Sequence, residues 1–210
     1  MIFDLDGTLV DSWEVHRYAL RHAAAEAGIS EPSSARLAAA QRPTDLATVR
    51  ALVGDAYLAT AWTAYRREFL ARLGVDPPKA TAHAAETLRR LRASGLSIGV
   101  CTGRSRREAQ ALLNACGLEV PLVIAREEAV EPKPAPAGLL AAVHALGLAT
   151  SEALYVGDTA TDLRQGRSAG VRTLVLGARE ARPRGQSPPS HLPELSELLA
   201  HTGRAERKSE

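Results

Sequence analysis

The chain has 210 residues, 45% hydrophobic and 24% charged, with a net charge of +2. That allows one sizeable core with a small insertion. The even charge balance excludes a broad nucleic-acid or membrane-surface patch, no apolar run is long enough to span a bilayer, and Asp4 and Asp6 break the apolar start that a secretory leader needs.

The opening Met-Ile-Phe-Asp4-Leu-Asp6-Gly7-Thr8-Leu9 reads as a strand running into an Asp-Gly turn. Side chains alternate along a strand, so Asp4 and Asp6 are expected on the same face. Asp11 or Ser12, with Glu14 at capping-box spacing, then starts a helix that runs to about Ala27 and stops at Gly28. Helices follow over 34–40, 44–53 and 57–73, the last carrying Leu58, Trp62, Tyr65, Phe69 and Leu73 on one face and stopping at Gly74. Apart from Phe3 and Tyr155, every aromatic residue lies between 13 and 69, and these side chains read as the core of a helical module rather than a ligand platform. Asp76-Pro77-Pro78 is a stiff connector.

From residue 80 the pattern alternates. Helices over 81–94, 105–116, 136–147 and 160–169 lead into apolar strands over 96–101, 121–125, 153–156 and 172–176, and a last helix is expected over 192–200. Residues 180–190 and 203–210 read as loop and tail. Apolar strands alternating with helices predict a doubly wound parallel α/β sheet covered on both faces. The core is expected from 1–11 and 79–210, with an all-helical cap over 12–78. Cys101 and Cys116 form neither a disulfide framework nor a zinc cluster and point to reduced thiols in a cytoplasmic protein.

Ligands of such sheets bind at the carboxyl ends of the strands. The first strand delivers Asp4 and Asp6 there. The second delivers Thr102-Gly103-Arg104, a hydroxyl and free amides suited to phosphate, although alone it reads more readily as a cap and a turn. Gly157-Asp158 to Asp162 adds two acids; Asp158 alone could be a helix cap and Asp162 a favourable first-turn acid. Lys occurs only at 79, 133 and 208 in a chain that otherwise uses Arg. Lys133 lies between Pro132 and Pro134, which fix the backbone around it. Four carboxylates, a hydroxyl and one ammonium need a cation, and hard oxygen ligands suit Mg²⁺. The Asp-x-Asp-Gly turn lacks the further ligands of an EF-hand, and no P-loop or dinucleotide fingerprint is present.

These four ordered motifs resemble those of the haloacid dehalogenase-like hydrolases, in the branch with a helical cap after the first strand, and the likeness covers nearly the whole chain. The resemblance implies a phosphatase of the phosphoglycolate-phosphatase-like kind acting on a small phosphorylated metabolite, as a monomer or homodimer. It implies Asp4 as nucleophile forming an aspartyl-phosphate and Asp6 as general acid–base. Asp4, the Asp6 carbonyl and Asp158 would hold Mg²⁺, with Asp162 orienting a metal-bound water or Lys133, while Thr102, Gly103 and Lys133 would grip phosphate. An acid at position 6 sets the chain apart from true dehalogenases. His16, Arg17 and Arg42 in the cap, together with Arg104, are candidates for substrate specificity, although Arg42 equally reads as a surface arginine and Arg104 as a partner for an acid. Relatives re-enter the core through a Pro-Gly turn where this chain has Pro77-Pro78-Lys79-Ala80. A phosphomutase using the same intermediate, and a binding module without chemistry, are the alternatives.

Overall fold

The computed structural model describes residues 1–177 and 190–198. The first strand, β1 (Ile2–Phe3), gives way at Asp4 to a turn that returns as β2 (Val10–Asp11). Four helices follow: α1 (Trp13–Glu26), α2 (Ser34–Ala40), α3 (Asp45–Val53) and α4 (Leu58–Val75). The chain re-enters through β3 (Lys79–Ala80), which pairs antiparallel with β2, Asp11 opposite Lys79. Lys79 therefore sits on a two-stranded ribbon where the helical layer leaves and rejoins the sheet. Then come α5 (Ala84–Ala93), β4 (Gly99–Cys101), α6 (Arg106–Ala115), β5 (Leu122–Ile124), α7 (Ala137–Ala145), β6 (Leu154–Gly157), α8 (Ala160–Ala169), β7 (Arg172–Leu176) and β8 (Ser190–Leu192).

The main sheet is parallel, in the order β5-β4-β1-β6-β7-β8. Successive strand residues enter opposite layers, as the two-residue period requires. Phe3, Val100, Val123 and Val156 join the apolar cluster that continues into the helical layer through Leu20, Leu37, Val49 and Phe69. Ile2, Cys101, Ile124 and Tyr155 join a second cluster against α7. The strands are thus buried on both faces, as their near-continuous apolar sequence predicts. The chain adds strands on one side of β1 and then crosses to the other, so β1 lies at the topological switch point.

Several expected boundaries move. Helix α4 runs through Gly74 and ends only before Pro77, which cannot continue it. The Asp11–Glu14 capping box does not form: the N-cap of α1 is Ser12, which makes no capping bond and donates instead to Asp6. The expected helix over 192–200 is absent from its described part. Leu192 ends β8 opposite Leu176, and a single 3₁₀ turn occupies Leu195–Glu197. Pro193 interrupts the segment, while Leu192, Leu195 and Leu198 remain buried. Residues 199–200, the expected loop over 180–190 except Ser190, and the tail over 203–210 lie outside the described residues. No helix among those described is long and apolar enough to cross a membrane.

One packing constraint sits on α8. A Cβ at Gly166 would lie 1.7 Å from Thr173 Oγ1 and 3.0 Å from Thr173 Cβ. Gly166→Ala should therefore destabilise the fold by about 1–3 kcal/mol, as overpacking does, despite the better helix propensity of Ala. Urea unfolding of the single variant, and of the same variant in a Thr173→Ala background, measures this: the second cost should be smaller. Equal costs would place the clash elsewhere.

Candidate active site

The carboxyl edge of the sheet gathers the residues the motifs single out. Asp4 follows β1, Thr102 follows β4, and Asp158 follows β6, while Lys133 arrives on the loop between β5 and α7. The Asp4 N–H donates to Val156 O at 2.8 Å, which anchors the end of β1 to β6. Lys133 Nζ donates to Asp4 Oδ1 at 2.5 Å, Asp162 Oδ1 at 2.8 Å and Tyr155 Oη at 2.7 Å. Tyr155 O–H in turn donates to Asp162 Oδ1 at 2.7 Å. Asp162 completes a capping box with Thr159, its Oδ2 accepting from the Thr159 N–H and hydroxyl. Asp158 is left out of the cap and accepts from Thr8 Oγ1 at 3.3 Å.

Two glycines make this approach possible. Gly7 adopts φ +77°, and a Cβ there would lie 2.1 Å from Asp158 Oδ2. A Cβ at Gly157 would lie 2.4 Å from the Asp162 Cβ.

The acids outnumber the ammonium. Burial pushes the Asp4 carboxyl well above the usual range, Lys133 opposing and Asp162 and Asp158 reinforcing. Burial and the Asp162 charge carry Asp158 to about 6. Burial also raises Asp162, but Lys133 and the donors around it reverse the sign and hold it low. Lys133 is desolvated, yet the surrounding acids hold its proton firmly. One oxygen each of Asp4, Asp158 and Asp162 lie within 4.8 Å of one another. Asp162 has both oxygens engaged, so the carboxylates open to a cation are those of Asp4 and Asp158. Hard oxygens crowded this closely fit a divalent ion.

Asp6 faces elsewhere. Because β1 ends at Phe3, strand alternation does not align the two aspartates, and Asp6 joins a second buried network. Arg104 Nε lies 2.8 and 2.9 Å from the two Asp6 oxygens, and Ser12 donates to Oδ1. Arg104 Nη1 reaches Asp45 at 3.1 Å and Tyr65 Oη at 3.2 Å, and its guanidinium lies 4.4 Å from the Phe69 ring centroid. His16 Nδ1 lies 2.7 Å from Tyr65 Oη, and Gln41 Nε2 lies 3.3 Å from His16 Nε2. Burial, aided by Arg104, lowers the His16 pKa to about 3. With His16 neutral, Gln41 donates to Nε2, and Nδ1–H and Arg104 donate to the Tyr65 oxygen.

Both networks open onto one cavity of about 540 Å³ between the sheet edge and the Gln41–Asp45 loop. Asp4, Asp6, Thr102, Gly103, Lys133, Asp158 and Asp162 all line it, as do His16, Arg42 and Arg104. Arg17 does not: it pairs with Glu14 one turn earlier on the outer face of α1. Arg42 is exposed and donates to Ala39 O and Gln41 O. Thr102 Oγ1 accepts from the Arg104 N–H at 3.2 Å, and a Cβ on Gly103 would meet Pro43 O at 2.8 Å. Sequence reasoning missed Asp45, Tyr65 and Tyr155, whose roles come from partners far away in the chain.

Residues 1–176 match the family model of the haloacid dehalogenase-like hydrolases. The chain is 32% identical over 213 residues to a phosphoglycolate phosphatase of Cereibacter sphaeroides, covering 95% of this chain and 96% of that one. It is 32% identical over 200 residues to a phosphoglycolate phosphatase of Rhodospirillum rubrum, covering 84% and 78%. Among solved structures, CbbY from Rhodobacter sphaeroides in complex with phosphate superposes with a TM-score of 0.79 at 22% identity, over 94% of both chains. A predicted phosphoglycolate phosphatase from Haemophilus somnus gives 0.83 at 21% identity, over 96% of both. The structures share the fold, and the sequence match supplies the kinship: the chain belongs to the haloacid dehalogenase-like hydrolases.

Proposed function

We propose that this chain is a Mg²⁺-dependent phosphatase of small phosphorylated metabolites that works through an aspartyl-phosphate on Asp4. The enzyme class is hydrolysis of phosphoric monoesters. The observation that carries the reading is the buried cluster of Lys133 with Asp4 and Asp162, with Asp158 beside it, at the switch point of the sheet. Relatives named as phosphoglycolate phosphatases favour hydrolysis over return of the phosphoryl group to a sugar. Residues 12–78 form the cap and the remainder the core, and the free thiols Cys101 and Cys116 suit a reducing cytoplasm.

Asp4, the Asp6 carbonyl and Asp158 would hold the ion. Bound Mg²⁺ supplies charge neutralisation at the phosphoryl oxygens. Lys133, the Thr102 hydroxyl and the Gly103 N–H grip those oxygens, so that the ammonium now on Asp4 is shared with the substrate. An Asp4 oxygen attacks phosphorus, the bond to the leaving oxygen breaks, and Asp6 delivers a proton to that oxygen. Water then attacks the phosphoryl group and gives its proton to Asp6, and the Asp4–phosphorus bond breaks to release phosphate. Asp162 and Tyr155 keep the Lys133 ammonium aimed throughout. Arg104 positions Asp6 by both oxygens and is itself held by Asp45 and Tyr65 from the helical layer. Closure of the cap therefore bears directly on the acid–base group.

Asp4→Asn should lower kcat at least about 10³-fold, as loss of a nucleophile does, and Lys133→Ala about 10²-fold or more. Phosphate release from acetyl phosphate, with EDTA removing the ion and Mg²⁺ restoring turnover, is the measurement. Full activity of Asp4→Asn ends the mechanism; full activity in EDTA ends the metal requirement.

The cap network also sets acid stability. His16 is neutral in the fold: burial, aided by Arg104, lowers its pKa to about 3, against about 6.5 for a free histidine. The depressed folded value means its contribution is complete above pH 6.5 and is lost progressively as pH falls towards 3, by about 1.4 kcal/mol per unit. Urea unfolding across that window should fall less steeply for His16→Gln than for the native chain. Parallel slopes would mean that His16 gains a proton without cost in the fold.

A further inference from the structure

We propose that the leaving group this cavity selects is an uncharged polyol, stacked on Trp13 and hydrogen-bonded to Asp11, and not a second anion. The inference rests on the phosphatase reading and names the class of substrate it takes.

The cavity has the size of a small-molecule site. Six carboxylates on its wall face only Arg42, Arg104 and Lys133, so a divalent ion still leaves the wall negative. Two of the three cations are committed to acids of the wall and are not free for a carboxylate or second phosphate on the leaving group. Lys133 is held at the phosphoryl end by Asp4 and Asp162. Arg104 has Nε and both terminal nitrogens engaged by Asp6, Asp45 and Tyr65. Arg42, exposed at the rim, ties the carbonyls of Ala39 and Gln41 through Nη1 alone and is the one cation of the wall without an acidic partner among the described residues.

The wall where β2 meets α1 is of another kind. Tyr65 and Phe69 are fully buried, but Trp13 lines the cavity and keeps 39% of its surface. Its ring is backed by His16 at 5.8 Å, tilted by 42°, which limits its movement. Asp11 lines the same cavity and is exposed, and although its backbone pairs with Lys79, its carboxylate makes no hydrogen bond or ion pair among the described residues. A carboxylate accepts strongly from hydroxyl groups, and an indole offers an apolar face to the C–H side of a sugar or polyol. The same carboxylate repels an anionic leaving group.

The test is a set of kcat/KM values with Mg²⁺ for ribose 5-phosphate, glucose 6-phosphate, phosphoglycolate, fructose 1,6-bisphosphate and acetyl phosphate. At least one sugar monophosphate should exceed phosphoglycolate and the bisphosphate by about tenfold or more. Trp13→Ala should cut the ratio of sugar phosphate to acetyl phosphate by about tenfold, chiefly through KM, and Trp13→Phe should retain most of it. Asp11→Asn should narrow the preference for the sugar over phosphoglycolate, a change that a purely structural role would not produce. Phosphoglycolate or the bisphosphate leading the series overturns the inference, and loss of that lead in Arg42→Ala would name the cation responsible; a specificity order that neither Trp13→Ala nor Asp11→Asn moves overturns it as well. Acetyl phosphate turnover that Asp4→Asn abolishes keeps the phosphatase reading standing in either case; if none of the five is hydrolysed, both fall.

Discussion

The Lys133 ammonium holds together a group of acids that would otherwise repel one another. Asp4 and Asp162 sit on it at 2.5 and 2.8 Å, and Asp158 stands beside them within the same 4.8 Å cluster. Three carboxylates around one buried ammonium carry excess negative charge in a low-dielectric place, where like charges are costly. The fold tolerates this because the backbone supplies the positions: Asp4 is fixed by its bond to Val156, Asp162 by its capping box, Asp158 by Thr8. The remaining imbalance appears as the raised Asp4 and Asp158 carboxyls. A site charged in this way is complementary to a divalent cation and, through the cation and Lys133, to a phosphoryl group.

Much of this arrangement was legible because it rests on local chemistry. The β/α alternation from residue 80 follows from apolar runs and their turns, and a parallel sheet then forces the strand ends to one edge. Asp4, Thr102, Lys133 and Asp158 each lie at a recognisable punctuation point, so their convergence follows from topology. The Asp4–Asp6 pairing was legible only in part. Both acids line the cavity, but β1 ends at Phe3 and the turn sends Asp6 to Arg104. A strand of two residues cannot carry an alternation argument across the three that follow.

What local pattern could not reveal is the cap network. Asp45 looks like an ordinary first-turn acid of α3, and Tyr65 like one more apolar residue on α4; only the meeting of α3, α4 and the loop after β4 makes them partners of Arg104. Ser12 offers capping chemistry by sequence and is drawn to Asp6 instead. Leu192 shows helical spacing with Leu195 and Leu198, but pairing with β7 across a long connection decides its state. In each case a tertiary partner outweighs a local preference.

The two networks divide the labour of the site. The Lys133 cluster is built entirely from the sheet side, so its geometry is independent of the helical layer. The Arg104 network is built from both sides, with Asp6 below and Asp45, Tyr65 and Phe69 above. Removing the upper partners would leave Arg104 with Asp6 alone, next to water. In the mechanism we propose, the half that grips the phosphoryl group is therefore preorganised, whereas the half that carries Asp6 depends on partners from the helical layer. On that proposal, phosphate could meet the Lys133 cluster before the helical layer is seated, while proton transfer by Asp6 would belong to the seated state, where the leaving group is enclosed and bulk water is kept from the reaction.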